Sequence, residues 1–327
     1  MVMMKKQKVT LIEVAELAGV SRAAAGKVLN GGSDKIGVGA EARKRILEAA
    51  RKLNYQPNMA ASILAGGSSR LIGVLLDPGT SYRYLRLLGE IERICADKGF
   101  RIITSFTHDN IGNMRENFRM LQRYGVTGFI CCAHDYPDLK TAVREFFSGE
   151  SNIVYMEKPI CEGKPYVRTS RLNALAEMIH EARSTGCSRI GMLSASTVWR
   201  TEATLHREFI QAMQRNGLEA DPRLMAQYPD TPRLSVQVDS VMKNVILPYR
   251  PDFLYIDDAV HAGVIQTRLI QAGLKIPIHG GNNDPLFEGL GLCSFDPCYG
   301  KIAEALLELL LNPEKRGEIP VIESIYQ

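Results

Sequence analysis

Two cations on one short helix are the side chains in this chain best suited to chemistry. Arg22 and Lys27 stand in the run Ser21-Arg22-Ala23-Ala24-Ala25-Gly26-Lys27-Val28-Leu29. Both are long enough to donate to guanine O6 and N7 in a major groove, whereas Ala23 and its two neighbours offer only methyl contact, for instance to a thymine methyl. Ser21, Asn30 and Asn58 are short polar residues suited to holding phosphates rather than reading bases. Other chemistries have little to work with. There is no nucleophile elbow, no P-loop and no pair of carboxylates at catalytic spacing. Cys131-Cys132 with His134 has adjacent cysteines where a metal knuckle leaves a gap of about two to four residues. Gly37-Val38-Gly39 echoes a dinucleotide fingerprint, but no strand precedes it, so it reads as a turn. The expectation is a protein that is not an enzyme, with no metal and no cofactor.

The elements that must position Arg22 and Lys27 are legible around them. Thr10 is a good N-cap and Glu13 follows three residues later, a capping box before an apolar run. Leu11, Val14, Ala15 and Ala18 then share one helical face. Gly19 supplies the left-handed stop, and Ser21 caps a second helix that reaches Leu29. Two short helices across a tight turn make a helix-turn-helix, whose second helix lies in the major groove. A third helix with Ile46, Leu47, Ala50 and Leu53 on one face would close a three-helix core. After it comes Asn54-Tyr55-Gln56-Pro57-Asn58-Met59-Ala60-Ala61-Ser62-Ile63-Leu64, about two turns of hinge, too short to be a stable helix alone in water. Ala65 to Ser69 is a flexible linker.

Four signatures, VTLIEVAELAGVS, KVLNG, LNYQPNMAASILAGG and LIGVLLD, occur in this order and spacing. With them the chain resembles the lactose/galactose repressor family of bacterial transcription regulators. The resemblance implies that Thr10, Leu11, Ser21, Arg22, Ala23, Lys27 and Asn30 meet DNA. It also implies that Asn58, Ala61, Ser62 and Leu64 form a hinge helix on the operator, with Leu64 wedged into the minor groove. The segment Gly31 to Gly39 is longer than expected for the family.

Charge agrees with a DNA-binding head. The chain of 327 residues carries a net +4, yet residues 1–70 hold 12 Lys/Arg against 5 Asp/Glu, a net +7 that leaves −3 for the rest. Seven cysteines, an odd number without framework spacing, point to a reducing compartment. Met1 to Lys8 is basic with no apolar stretch behind it, and no run is long enough to span a membrane, so a cytoplasmic, nucleoid-associated bacterial protein is expected.

From Leu71 onward strands and helices alternate, first LIGVLL, then FRIITSF, VTGFICC and NIVYM with helices between, and again after Pro165. That alternation means parallel sheets covered by helices. The fold class expected is an all-α helix-turn-helix head plus an α/β core of two doubly wound parallel-sheet lobes, like a periplasmic sugar-binding protein. The divisions are residues 1–56 for the head, 57–70 for hinge and linker, and 71–327 for the core. By resemblance the chain crosses between lobes near Thr169, Phe295 and Gly317, giving lobe 1 about 71–168 and 296–317 and lobe 2 about 169–295 and 318–327.

Ligands of such sheets bind at the carboxyl ends of the strands. The resemblance places an effector against Tyr82, Ser170, Trp199, Leu205, Arg207, Asp257, Asp258 and Asn283. It also shows departures, because Ser170 and Leu205 occupy positions where sugar-binding members carry Asp and Arg. Arg200 or Arg207 is a candidate to replace the missing Arg, and Trp199, the single tryptophan, is suited either to stacking on a ligand or to packing a lid. The function expected is a sequence-specific transcription regulator, a repressor, binding a palindromic operator as a homodimer under control of a sugar-like effector. No heptad tail follows the last strand, hence a dimer. A binding protein without a DNA role and an enzyme on a doubly wound fold are the alternatives.

Overall fold

The computed structural model describes residues 9–29, 37–56, 69–76, 82–106, 110–133, 140–194, 200–229, 231 and 233–326. They form two compact units, dividing between Arg70 and Leu71.

The first unit is three helices, α1 (Leu11–Ala18), α2 (Arg22–Leu29) and α3 (Ala40–Lys52). Local chemistry sets their ends. The Glu13 N–H donates to Thr10 Oγ1 at 3.4 Å while the Thr10 N–H donates to Glu13 Oε2 at 2.6 Å, a complete capping box. The hydrogen bond from the Thr10 backbone, then that from its hydroxyl, holds the Glu13 carboxyl below its ordinary value. Gly19 turns the chain at φ 62°, and Ser21 Oγ accepts the Ala24 N–H at 3.2 Å. Val14, Ala15, Ala18, Ala25, Ile46, Ala49 and Ala50 form the core. Leu47, expected inside, is 40% exposed, and Ala49 is buried in its stead. The inward stripe runs Ile46, Ala49, Ala50, Leu53 at helical spacing, and Leu47 is one step (about 100°) round from Ile46.

The second unit holds two parallel sheets. Lobe 1 is built on β1 (Leu71–Leu76), β2 (Arg101–Phe106), β3 (Gly128–Cys131), β4 (Ile153–Met156), β5 (Tyr166–Ser170) and β11 (Val321–Glu323), in the order β11-β5-β4-β3-β1-β2. Helices α4 (Tyr82–Asp97) and α12 (Tyr299–Leu311) cover one face through Leu87, Ile91, Leu306 and Leu310. Helices α5 (Ile111–Arg123) and α6 (Lys140–Ser148) cover the other through Phe118, Leu121, Phe146 and Phe147. With helices on both faces, β1 is buried at every residue.

Lobe 2 has β6 (Ile190–Ser194), β7 (Met225–Gln227), β8 (Phe253–Ile256), β9 (Ile278–Gly280) and β10 (Cys293–Ser294), ordered β10-β9-β8-β6-β7. Helices α7 (Leu172–Ser184) and α8 (Arg200–Arg215) pack on one face. Helices α9 (Leu234–Val241) and α10 (Ala259–Gln271) pack on the other. A short α11 (Pro285–Gly289) precedes β10.

The chain passes between lobes at Ser170–Arg171, again between Ser294 and Tyr299, and last at Ser324. The last crossing lies beyond Gly317, the position suggested by the sequence. Val321, Ile322 and Glu323 pair in parallel with Arg168, Thr169 and Ser170, which keeps this stretch in lobe 1. Only then do Ile325 and Asp296 bridge antiparallel.

Candidate DNA-reading helix and effector cleft

On α2 the exposed residues are Arg22, Ala23 and Lys27, while Ala25 is fully buried. Ala23 and Lys27, four apart, share one stripe, and Arg22 flanks it at the helix start. Ser21 is committed to capping through its hydroxyl. Leu11 is half-buried against the core, and a Cβ built on Gly26 would stand 3.3 Å from its Cδ2. Gly26 therefore faces α1 and lets the two helices approach. Asn30, Asn58, Ala61, Ser62, Leu64 and Trp199 lie outside the described residues.

In the core, two of the crossings leave from the carboxyl ends of β5 and β10, so these ends of the two sheets are joined at one level. Ser170 is buried, and its hydroxyl accepts the Leu172 N–H at 3.3 Å. Tyr82 is the first residue of α4. Leu205 is 1% exposed and belongs to the apolar layer with Phe209 and Met213, so its side chain is spent on packing. Arg207, two residues on (about 200° round the helix), points outward and donates to Thr204 Oγ1 at 3.4 Å.

The remaining expected residues do gather. Asp257 is 6% exposed, and its carbonyl accepts from the Asn282 side chain. Asp258 caps α10, accepting the His261 N–H at 3.0 Å. Asn283, in the left-handed region at φ 47°, donates its N–H to Ser294 Oγ at 2.9 Å. Its carbonyl accepts from Arg86 Nη1 of lobe 1 at 3.5 Å, a direct contact between lobes.

Several polar residues of this region escaped sequence reasoning. His261 Nδ1 lies 2.7 Å from Asp258 Oδ1, and its Nε2 lies 2.9 Å from Gln237 Oε1. The Gln237 amide is oriented by donating to the carbonyls of Thr231 at 2.8 Å and Pro229 at 3.4 Å. Tyr228 stacks on His261 with centroids 4.0 Å apart. Asp-x-x-His at a helix start was the local signal for this pair. On lobe 2's other face, Glu208 is 4% exposed and accepts the Arg171 backbone N–H at 3.0 Å through Oε2. Nothing local marks that contact.

Where the crossings meet, a cavity of about 30 Å³ is lined by Glu157, Thr169, Arg171, Asn282, Tyr299 and Ser324 among others. It suits a water or two and is far below the size of a sugar pocket. Glu157 sits at φ 66° and accepts the Thr169 N–H at 3.0 Å. Among the described residues no cluster of His, Cys, Asp or Glu is arranged to hold a metal ion. Cys131 and Cys132 are buried, and burial pushes the Cys132 thiol up to about 12.

Residues 10–58 match the model of the bacterial regulatory proteins, lacI family. The sucrose operon repressor of Klebsiella pneumoniae is 30% identical over 198 residues, 60% of this chain and 56% of that protein. The transcriptional repressor PurR of Pasteurella multocida is 22% identical over 213 residues, 65% of this chain and 63% of that one. The chain thus spans little more than half the length of these curated relatives. The lac repressor dimer bound to operator and the anti-inducer ONPF superposes with a TM-score of 0.78 at 18% identity, covering 98% of this chain and 97% of its own. A CelR–cellobiose complex superposes at 0.65 with 16% identity, covering 97% and 98%. At these identities the structures establish the fold, a helical head with two periplasmic-binding-protein-like lobes.

Proposed function

We propose that the chain, whose residues 10–58 match the lacI family of bacterial regulatory proteins, is a sequence-specific DNA-binding transcription regulator of that family, a repressor controlled by a small molecule. The observation that carries this reading is α2: a helix capped by Ser21 that leaves Arg22, Ala23 and Lys27 exposed together. Arg22 and Lys27 read bases, and basic residues around them hold phosphates.

The protein binds a palindromic operator as a homodimer, with residues 57–64 as the hinge between head and core. The effector, a sugar or sugar derivative, sits between the lobes near Ser170, Asp257, Asp258 and Asn283. The curated relative named as a sucrose operon repressor supports that class. Effector and operator oppose or assist each other by equal factors, because binding linkage is reciprocal. No described helix is long and apolar enough to cross a membrane.

The test is binding of the whole chain to a library of palindromic duplexes at several salt concentrations. A preferred sequence is expected, with affinity falling linearly in log salt as counterions are released. Equal affinity for every duplex, or none, sinks the proposal.

A further inference from the structure

We propose that Glu208 is the residue that selects the effector, and that the effector carries a protonated amino group on a hydroxylated frame. The inference rests on the cleft reading above.

Glu208 is out of place by packing logic. Its neighbours on the inward stripe of α8 are Leu205, Phe209, Ala212 and Met213, all buried. Oε2 accepts the Arg171 N–H, but Oε1 is equally buried and has no hydrogen-bond partner. A buried carboxylate oxygen without a donor is costly, and an apolar residue on this stripe would avoid that cost.

Other buried oxygens lie on the same sheet edge. Ile190 and Met192 of β6 point into the α7/α8 layer, so by strand alternation Ser194 does too. Ser194 is fully buried and its hydroxyl is also without a partner. Tyr255 lies in that layer as well, which places Asp257, two residues on, over the same face. The Asp257 N–H donates to the Leu193 carbonyl at 3.4 Å, so Asp257 and Ser194 sit on neighbouring strands at their carboxyl ends. Across the sheet, on the α9/α10 face, the Tyr228 hydroxyl is also buried and unpartnered. Burial first, then the charges of Asp257 and Asp258, pushes its ionisation far up.

The chemistry of the missing partner follows from this set. Carboxylates only accept hydrogen bonds, and hydroxyls both accept and donate. Arg171, whose backbone N–H reaches Glu208, lines the hinge cavity alongside a further acid, Glu157. Among the described residues Glu157, Glu208, Asp257 and Asp258 outnumber Arg86 and Arg171 here, and a phosphate or carboxylate on the ligand would meet like charge. An ammonium brings three donors and no acceptor, and a charge-assisted bond to Glu208 Oε1 is stronger than one from a neutral hydroxyl. A ligand hydroxyl suits Ser194.

The experiment is calorimetric titration of the full chain with glucosamine, galactosamine and mannosamine, each beside its parent hexose and that hexose's 6-phosphate. One amine should bind roughly tenfold or more tighter than its parent, with the phosphates weakest. Glu208→Gln, shown to be folded by circular dichroism and a cooperative melt, should bring amine and parent to similar affinity. If Glu208→Gln does not fold, Glu208→Asp, which keeps the charge but retracts it, should weaken the amine alone. A parent hexose or phosphate that binds as well as the amine overturns the inference and leaves the cleft reading standing. So does an amine preference that survives loss of Glu208. Binding of no compound overturns both.

Discussion

Asp258 is engaged twice by one residue: its Oδ1 takes the backbone N–H of His261 at 3.0 Å and lies 2.7 Å from the ring Nδ1. The ring then reaches Gln237, so a single carboxylate ties the start of α10 to α9. Asp258→Ala should cost about 1–2 kcal/mol at pH 7 by loss of the cap and its ring partner. Burial raises the Asp258 carboxyl, but the hydrogen bonds from the His261 ring and backbone outweigh it and hold the group below its ordinary value. The stabilisation is therefore present above the unfolded value of about 3.9 and fades as pH falls through the folded one. Denaturant melts of the two proteins should converge once the pH has fallen below the folded value. A gap that persists there means the carboxylate charge is not what matters.

A second titration concerns His279. Burial lowers it to about 4, against an opposing hydrogen bond with the Gly280 carbonyl. The unfolded chain takes up the proton near about 6.5, so stability is full above that pH and is lost as pH falls toward the folded value. His279 stacks between Phe295 and Tyr326 at 5.8 and 5.4 Å, so His279→Phe keeps the stack and removes the titration. Between pH 7 and 5 the wild type should lose roughly 2 kcal/mol more than the variant. Equal losses would show that His279 charges freely in the folded state.

For DNA reading, the residue to change is Arg22. Arg22→Ala should relax preference at one operator position at a cost of roughly 1–3 kcal/mol there. A uniform loss across all duplexes would make Arg22 a phosphate contact.

Gly26 gives the complementary test. Alanine gains about 1 kcal/mol of helix propensity over glycine, and the added methyl meets only the end of the Leu11 side chain at 3.3 Å. Leu11 is half-buried, and the contact is with the end of a flexible side chain rather than with backbone. Gly26→Ala should therefore raise the head's melting temperature slightly and leave operator affinity unchanged. Weaker DNA binding by a head of undiminished stability would show that the backbone at Gly26 approaches DNA.

The sequence was most legible where structure is local. Thr10 with Glu13, Gly19 and Ser21 act within four residues, and each lies where its chemistry predicts. The strand and helix alternation of the core was readable for the same reason, since each element announces itself by its own periodicity. The reading failed where partners are far apart. The last crossing depends on β11 finding β5, and no residue near Gly317 signals that pairing. Leu205 stands where the resemblance implies a polar ligand contact, yet an apolar residue on the inward face of α8 is drawn into the core. Glu208 drew no notice as a charge among many, because its significance lies in Arg171 and in a buried oxygen. Leu47 illustrates a smaller failure, an apolar residue one step off the buried stripe.

The pairing of β11 with β5 also governs when lobe 1 can close during synthesis. Until residues 321–323 leave the ribosome, the outer edge of β5 stands open, and the helix α12 that covers one face of lobe 1 has only just emerged. An open strand edge is a template for another chain. Lobe 1 is thus begun first and closed last, and the nascent protein depends on late residues to shield a strand made long before.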